Sequence, residues 1–311
     1  MRTLLGAVLL AAAVSTAAPC FAQVGGIPSE ILSARQALTA DQKKTLVTTL
    51  DEYAGRMAQG DPAVVVETRN RLVELMRNPL AAEIFKREAS VELVKQFEPL
   101  CKGKDAFRAT NAFIVARFLG TAESVDFLID NIGPDAQPDV ALRIAASAQL
   151  SKALALAPLS PPQLDALAKR IANACAAESN WMVVSQNIEA IASMLRQKNI
   201  PPAQAEAIAL SEGSAINDIA ERALKAGGGD MVQALQRALL VVRNQAELPD
   251  STRSKLLEKI GPTLAKIAAV KAAPPAEFAA RPELANAFKG VTNTAEILQK
   301  QRGASATAAG G

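Results

Sequence analysis

The sequence predicts an all-α fold of antiparallel helix pairs that stack on one another, with an irregular α-helical bundle as the alternative. Half of the 311 residues are apolar, and they recur every three or four positions almost throughout the chain. Proline and glycine clusters divide this pattern into segments of helix length. No segment alternates β-branched and polar residues between hairpin turns, so a sheet is not expected. We therefore expect the apolar faces to be buried between neighbouring helices.

Residues 1–22 have the composition of a secretory signal peptide. Arg2 gives a positive start, residues 3–18 are apolar, and the small Ala22 precedes the expected cleavage point. The apolar run is shorter than the roughly 20 residues of a membrane span. We expect a mature protein that is periplasmic or secreted and has no membrane span. Residues 23–28 are expected to form a flexible N-terminus.

Three helices are predicted at the start of the mature chain. Asp41 is the expected N-cap of the first helix. Pro62 begins the second, because proline is tolerated in a first helical turn, and an Asn-Pro pair ends it. The third covers 80–102, and we expect it to bend at Pro99, whose ring clashes with the preceding turn.

Short turns separate the remaining predicted helices, which cover 105–119, 122–132, 138–156, 162–178, 181–197, 202–210, 215–225, 231–242 and 251–270. All of these segments belong to an expected repeat domain over 29–272. Prolines then interrupt the pattern, so 273–302 is expected to be a linker followed by a terminal helix over 291–301. Residues 303–311 contain nothing large to bury, and we expect them to be disordered.

Two segments in the middle of the chain are similar to each other. Each contains an Ala-rich helix followed by a helix with an apolar face, over 108–132 and over 138–174, and a looser copy covers 215–239. In register, Arg108 falls opposite Arg143, about 35 residues away, a spacing found in helical repeats. Alanine at the contacts lets helix axes approach, and each pair exposes an apolar face that only a neighbouring pair can cover.

The second copy carries the pattern Asp-x-x-Val-Arg-x-x-Ala-Ala with one position shifted, and in this it resembles the inner helix of HEAT-type and armadillo-like repeat proteins. The residues that carry the resemblance are Pro138, Asp139, Val140, Leu142, Arg143, Ala145, Ala146 and Leu150. The resemblance covers about 104–246. It implies a right-handed α-solenoid whose concave face binds partners, and it implies no enzymatic activity.

The composition excludes several classes of chemistry. The chain contains no histidine, so a Ser-His-Asp triad, a Cys-His pair and a histidine-ligated metal are excluded. There is no P-loop motif, and the Gly-Gly-Gly run at 227–229 indicates a helix stop rather than a phosphate cradle. No cysteine pair has metal-ligand spacing. We therefore predict no catalytic residue, no cofactor and no metal site.

A carboxylate-based glycan hydrolase or lyase is the enzymatic alternative, because a buried protonated carboxyl can act as a general acid without histidine. Glu178 and Ser179 are similar to the Glu-Ser pair of lytic transglycosylases. The Gly-x-Met-Gln turn and the aromatic-lined groove of that family are missing, so we expect this pair to lie in a solvated turn. Asp126 and Asp130 are expected to be a solvated helix edge. A structural protein of the cell wall is the other alternative.

Cys101 and Cys175 are the two cysteines that remain after cleavage, in a compartment that favours oxidation. A disulfide between them is one prediction. Two separate thiols are the other, because bridged α-carbons must lie within about 7 Å of each other and stacked helix pairs would hold these residues apart.

Trp181 and Arg143 are the candidate partner-binding residues. Large amphipathic rings are frequent in interaction hot spots, and the alternative for Trp181 is a structural plug at a helix start. Basic residues alternate with acidic ones and lack stacking aromatics, so nucleic acid is not expected as a partner. We expect a non-enzymatic protein-binding or scaffolding module of the bacterial envelope, with no prediction for its oligomeric state.

Overall fold

The computed structural model describes residues 23–24, 26–197 and 200–309, and the predicted signal peptide over 1–22 lies outside them. The helices are α1 (Ser29–Leu32), α2 (Ala40–Gln59), α3 (Pro62–Arg77), α4 (Glu83–Lys102), α5 (Ala106–Leu119), α6 (Ala122–Ile129), α7 (Val140–Leu154), α8 (Pro161–Ala177), α9 (Trp181–Leu195), α10 (Pro202–Ala223), α11 (Met231–Asn244), α12 (Asp250–Lys259), α13 (Gly261–Ala272), α14 (Ala276–Ala280) and α15 (Pro282–Ala309). The strands are β1 (Gln23–Val24) and β2 (Ile27–Pro28), which pair antiparallel. The all-α class is confirmed.

Helix starts follow the capping residues of the sequence. The side chains of Asp61, Asp105, Asp139 and Asn180 accept hydrogen bonds from the first backbone N–H groups of α3, α5, α7 and α9. The predicted N-cap Asp41 is wrong by two positions. Thr39 caps α2 instead. It forms a capping box with Gln42, in which the side chain of each residue accepts the backbone N–H of the other.

Two predicted helix boundaries are wrong, one at a glycine that does not end its helix and one at a proline that does. The predicted break before residue 215 is absent, and α10 continues through Gly213. A Cβ at Gly213 would lie 2.6 Å from Cγ of Lys259, so this glycine allows close packing rather than stopping the helix. The predicted helix over 251–270 is divided into α12 and α13 at Ile260, where Pro262 lacks the N–H that would continue the ladder. Pro99 lies inside α4, as expected.

Twelve of the described helices form two layers, and from α2 to α12 successive helices along the chain alternate between them. Layer one contains α3, α5, α7, α9, α11 and α15, each in contact with the next. Layer two contains α2, α4, α6, α8, α10 and α12, joined by helix contacts and, between α6 and α8, by the ion pairs of Arg170. The buried apolar residues lie mainly between the layers. The HEAT-type resemblance and the right-handed solenoid stay predictions.

The core contains both small and aromatic side chains. Ala112 and Ala116 of α5 and Ala146 of α7 are fully buried, and these two helices contact each other. Phe127 of α6 packs on the aromatic rings of two neighbouring helices, with ring centroids 5.7 Å from Phe113 of α5 and 6.4 Å from Phe97 of α4.

Secondary structure is present within both terminal segments of the described chain. Residues 23–24 and 27–28, in the segment expected to be flexible, form the β1–β2 pair, and Ile27 is fully buried against the first helices. The last helix, α15, begins at Pro282 and continues to Ala309, past the expected start of disorder at 303.

Candidate partner-binding groove

Arg143 lies in the interior and forms a buried ion pair with Glu178. Its side chain is 8% exposed and that of Glu178 is 0% exposed. The Arg143 Nε lies 2.5 Å from Oε2 and Nη2 lies 3.1 Å from Oε1, while Nη1 donates to two backbone carbonyls in the turn before α7. The predicted role of Arg143 in partner binding is therefore wrong, because a residue of its own chain already occupies the guanidinium.

Glu178 also lies in the interior. The predicted solvated turn is wrong, because Glu178, the C-cap of α8, has a carboxylate that is enclosed by α7 and by the start of α9. Its Oε1 also accepts the backbone N–H of Asn180 at 2.7 Å, so both oxygens are used within the chain. Arg222 of α10 donates to the backbone carbonyls of Glu178 and Cys175, which satisfies the carbonyl end of α8. This network joins α7, α8, α9 and α10.

The two cysteines are free and buried. Cys101 ends α4 and Cys175 lies in α8, two helices that belong to the same layer but are separated in it by α6. Burial raises the pKa of each thiol to about 12. The structure therefore has two separate thiols rather than the disulfide, as expected when residues lie on different helix pairs of a stack.

Trp181 lies where α7, α9 and α11 meet, and it lines a groove of about 600 Å³, here called the Trp181 groove. The groove is lined by Ile144, Trp181, Met182, Ser185, Gln186, Glu189, Arg237, Leu240, Val241 and Asn244. Trp181 is partly buried against the core, whereas Met182 is 39% exposed. The ring is thus anchored on one side and accessible on the other, which combines the two alternatives considered for it.

The polar network beneath the groove fixes where the tryptophan lies. Asn180 is the N-cap of α9, and its side chain accepts the N–H groups of Met182 and Val183 at 3.0 and 3.4 Å. Its own N–H is held by Glu178, which Arg143 holds in turn. Arg143 therefore positions the start of α9 from below, although it does not reach the surface.

The Trp181 groove has an apolar floor and charged edges. Ile144, Leu240 and Val241 supply aliphatic surface from the two flanking helices, and Glu189 and Arg237 are the charged residues of the lining. Sequence reasoning missed these residues because each lies on a different helix, and only the layer contacts bring them together. The signal that was available is the apolar pair Leu240 and Val241 in an otherwise amphipathic helix.

Glu212 is the carboxyl with the most perturbed environment. It is fully buried in α10, and burial raises its pKa from 4.5 to about 7. Both of its oxygens accept from Nε2 of Gln245, at 3.1 and 3.0 Å. It faces the packing between α10 and α11 and does not line the Trp181 groove, so it is not the raised acid of a two-carboxylate pocket there.

The remaining sites considered from the sequence have structural partners. Asp126 and Asp130 both pair with Arg170 at the surface, as expected for a helix edge. The Gly-Gly-Gly run precedes α11, and the N–H groups of Gly227 and Gly229 hold the carboxylate of Glu277. Among the described residues, no group of three or more His, Cys, Asp and Glu side chains is arranged to hold a metal ion.

None of the helices in the described part of the chain has the length and apolar character needed to cross a membrane. In comparisons with known proteins, no protein-family model matches the chain and no curated protein is similar to it.

Proposed function

We propose that the protein is an exported, non-enzymatic binding or scaffolding module of the bacterial envelope, and that the Trp181 groove holds an apolar side chain of a partner protein. The observation that carries this proposal is the position of Trp181, partly packed on the core and partly open in a groove with aliphatic walls. An aromatic anchor in a desolvated pocket is the common form of an interaction hot spot.

The charged edges support a protein partner. Glu189 pairs with Arg196 at 2.5 Å, while the exposed Arg237 has no ion pair among the described residues. An arginine beside an apolar floor is suited to a partner that brings an apolar side chain followed by a polar or acidic one. Such edges contribute selectivity and association rate more than affinity.

The support beneath the groove is consistent with a scaffold. The start of α9 is held by Asn180, Glu178 and Arg143, so the tryptophan is positioned before a partner arrives. A preorganised surface loses less conformational entropy on binding than a flexible one. We propose that the module presents a rigid layer-one surface rather than closing around a ligand.

Site-specific photocrosslinking in cells tests the proposal. A photoreactive amino acid at Gln186 in the groove is expected to give a discrete crosslinked band, while the same amino acid at the exposed Lys95 of α4 should not. Trp181→Ala should remove the band without lowering the amount of protein. Identical products from both positions, or a band that survives Trp181→Ala, would refute the groove as the binding surface.

Export is tested separately. Fractionation is expected to place the protein outside the cytoplasm, with a mature N-terminus at Gln23 read by N-terminal sequencing.

The enzymatic alternative predicts that the purified mature protein releases soluble fragments from peptidoglycan, whereas the structural alternative predicts cell-wall association that Trp181→Ala leaves intact. Either result would refute the proposed binding function in favour of that alternative.

A further inference from the structure

Two arginines from neighbouring layer-one helices converge on one aromatic ring. The guanidinium carbon of Arg117 lies 3.9 Å from the centroid of Phe118, and that of Arg77 lies 5.9 Å from the same centroid. Arg77 is the last residue of α3, and Arg117 lies in the last turn of α5. The two cations are therefore separated by no more than the sum of these distances.

Neither of these arginines has a carboxylate partner among the described residues. Arg117 donates from Nη1 to the neutral amide oxygen of Gln149 in α7, at 3.2 Å. Burial and the positive charge of Arg77 lower the pKa of Arg117 below its usual value. By contrast, Arg196 at the end of α9 pairs with Glu189. The pair on Phe118 thus concentrates positive charge that the surrounding residues do not neutralise.

The helix macrodipole explains only part of this arrangement. A cation near the carbonyl end of a helix is favourable, and this accounts for one arginine on α3 and one on α5. It does not account for two like charges over one ring, which repel each other unless an anion lies between or beside them. The ring face removes water from one side of the Arg117 guanidinium, and this strengthens a charge-assisted hydrogen bond to a ligand.

We propose that Arg77 and Arg117 form a binding site for a carboxylate, supplied by an acidic segment of the partner protein. The guanidinium group presents a planar fork of donors that matches the two oxygens of a carboxylate, and two such forks can hold one carboxylate or two adjacent ones. Phe118 fixes the forks, and Gln149 orients Arg117 from the next helix.

The position of this site connects it with the Trp181 groove. Helix α7 contributes Gln149 to the arginine site and Ile144 to the groove. The axial rise between these two residues is about 7.5 Å at 1.5 Å per residue. We propose that one extended partner segment of roughly ten residues, about 33 Å long, crosses α7 and occupies both sites. The partner source of the carboxylate rests on the proposed function, whereas carboxylate binding itself does not.

The test measures binding of a fluorescently labelled hexaglutamate peptide to the full mature protein by polarisation at low salt. Arg77→Gln combined with Arg117→Gln is expected to weaken binding at least tenfold. The matched control is Arg71→Gln combined with Arg87→Gln, which removes the same charge from exposed arginines that already pair with glutamates. The control should bind within twofold of the unaltered protein. Equal affinity of the two double variants would overturn the proposal.

Two further arms keep the result specific. Arg77→Gln alone, at an exposed helix end where folding is not at risk, should weaken binding at least threefold, and no weakening would overturn the site. Inorganic phosphate should displace the peptide less effectively than free glutamate at the same concentration; the reverse order would make this a phosphate site and refute the carboxylate.

The outcome is separable from that of the proposed function. Trp181→Ala should leave hexaglutamate binding unchanged while removing the crosslink at Gln186. Loss of the crosslink without an effect of the arginine substitutions on peptide binding refutes only the arginine site. The opposite pattern refutes only the groove.

Discussion

Arg143 and Glu178 form a buried bidentate ion pair between the first turn of α7 and the end of α8. Such a pair is not a large net source of stability relative to apolar residues of the same size. Its importance is that either residue alone would be a buried charge without compensation. The pair therefore fixes how α7, α8 and the start of α9 fit together.

Glu178→Gln is expected to lower the free energy of unfolding by about 3–5 kcal/mol, because it leaves the buried Arg143 charge uncompensated. Urea denaturation followed by circular dichroism measures the change. Glu98→Gln is the control, since Glu98 pairs with Lys102 at the surface and should cost at most about 1 kcal/mol. A Glu178→Gln variant as stable as this control would contradict the compensating role.

Glu212 is expected to make the protein less stable as the pH rises. Its folded pKa of about 7 lies above its ordinary value of 4.5, so the folded state binds the proton more tightly. The stabilisation is complete below about pH 4.5 and is lost as the pH rises through 7. Because one pKa unit corresponds to about 1.4 kcal/mol, Glu212→Gln should be more stable than the unaltered protein at about pH 8 by about 3 kcal/mol.

Unfolding of Glu212→Gln in urea at about pH 5 and about pH 8 checks this pH dependence. The exposed Glu67→Gln is the comparison, since it keeps Glu212 and should retain the loss of stability at the higher pH. If the unaltered protein and Glu212→Gln have parallel pH profiles, the buried carboxyl does not titrate in this range.

Asn187 is expected to weaken the core. It is fully buried in α9, and among the described residues neither Nδ2 nor Oδ1 has a hydrogen-bond partner. Asn187→Leu should raise the free energy of unfolding by about 1–2 kcal/mol, because it removes a desolvated amide without opening a cavity. Thermal unfolding measures the change.

Ser124→Ala gives the opposite expectation to Asn187→Leu. Ser124 is also fully buried, but it bonds to Thr121 in the capping box of α6, so its loss should destabilise the protein by about 1 kcal/mol. A lower melting temperature for Asn187→Leu would show that the amide is satisfied, for example by an internal water molecule.

The thiols of Cys101 and Cys175 are expected to be unreactive until the protein unfolds. Burial raises the pKa of Cys101 and Cys175 to about 12, and thiols in this state are poor nucleophiles. A thiol reagent such as dithionitrobenzoate should modify neither residue in the native protein and both in denaturant without a reductant. Failure to modify them in denaturant would reveal a disulfide.

Local sequence patterns were sufficient for most of the helix framework. Pro62 begins α3 as predicted, α8 begins at Pro161, one residue before the predicted start, and the charged and apolar faces of α3 and α11 follow from residue spacing alone. One boundary that was missed depends on tertiary contact. Gly213 looks like a helix stop in the sequence, but its lack of a side chain is needed where Lys259 crosses α10.

The candidate site was only partly predictable for the same reason. Trp181 was identified because a large ring at a helix start stands out in an aromatic-poor chain. Arg143 was misplaced because an arginine is exposed by default, and the partner that allows its burial lies 35 residues further along the chain. No local pattern indicates that Arg77 and Arg117 reach one ring, because they end different helices.

Since Trp181 is the sole indole in the molecule, ultraviolet excitation above the tyrosine band produces emission from that one location. The wavelength and intensity of this emission report the polarity around the indole in the Trp181 groove, without an added dye. A ligand entering beside the ring would shift the spectrum towards the blue. Disruption of the Arg143–Glu178 ion pair beneath α9 would shift the emission towards the red. Intrinsic fluorescence therefore reports both events.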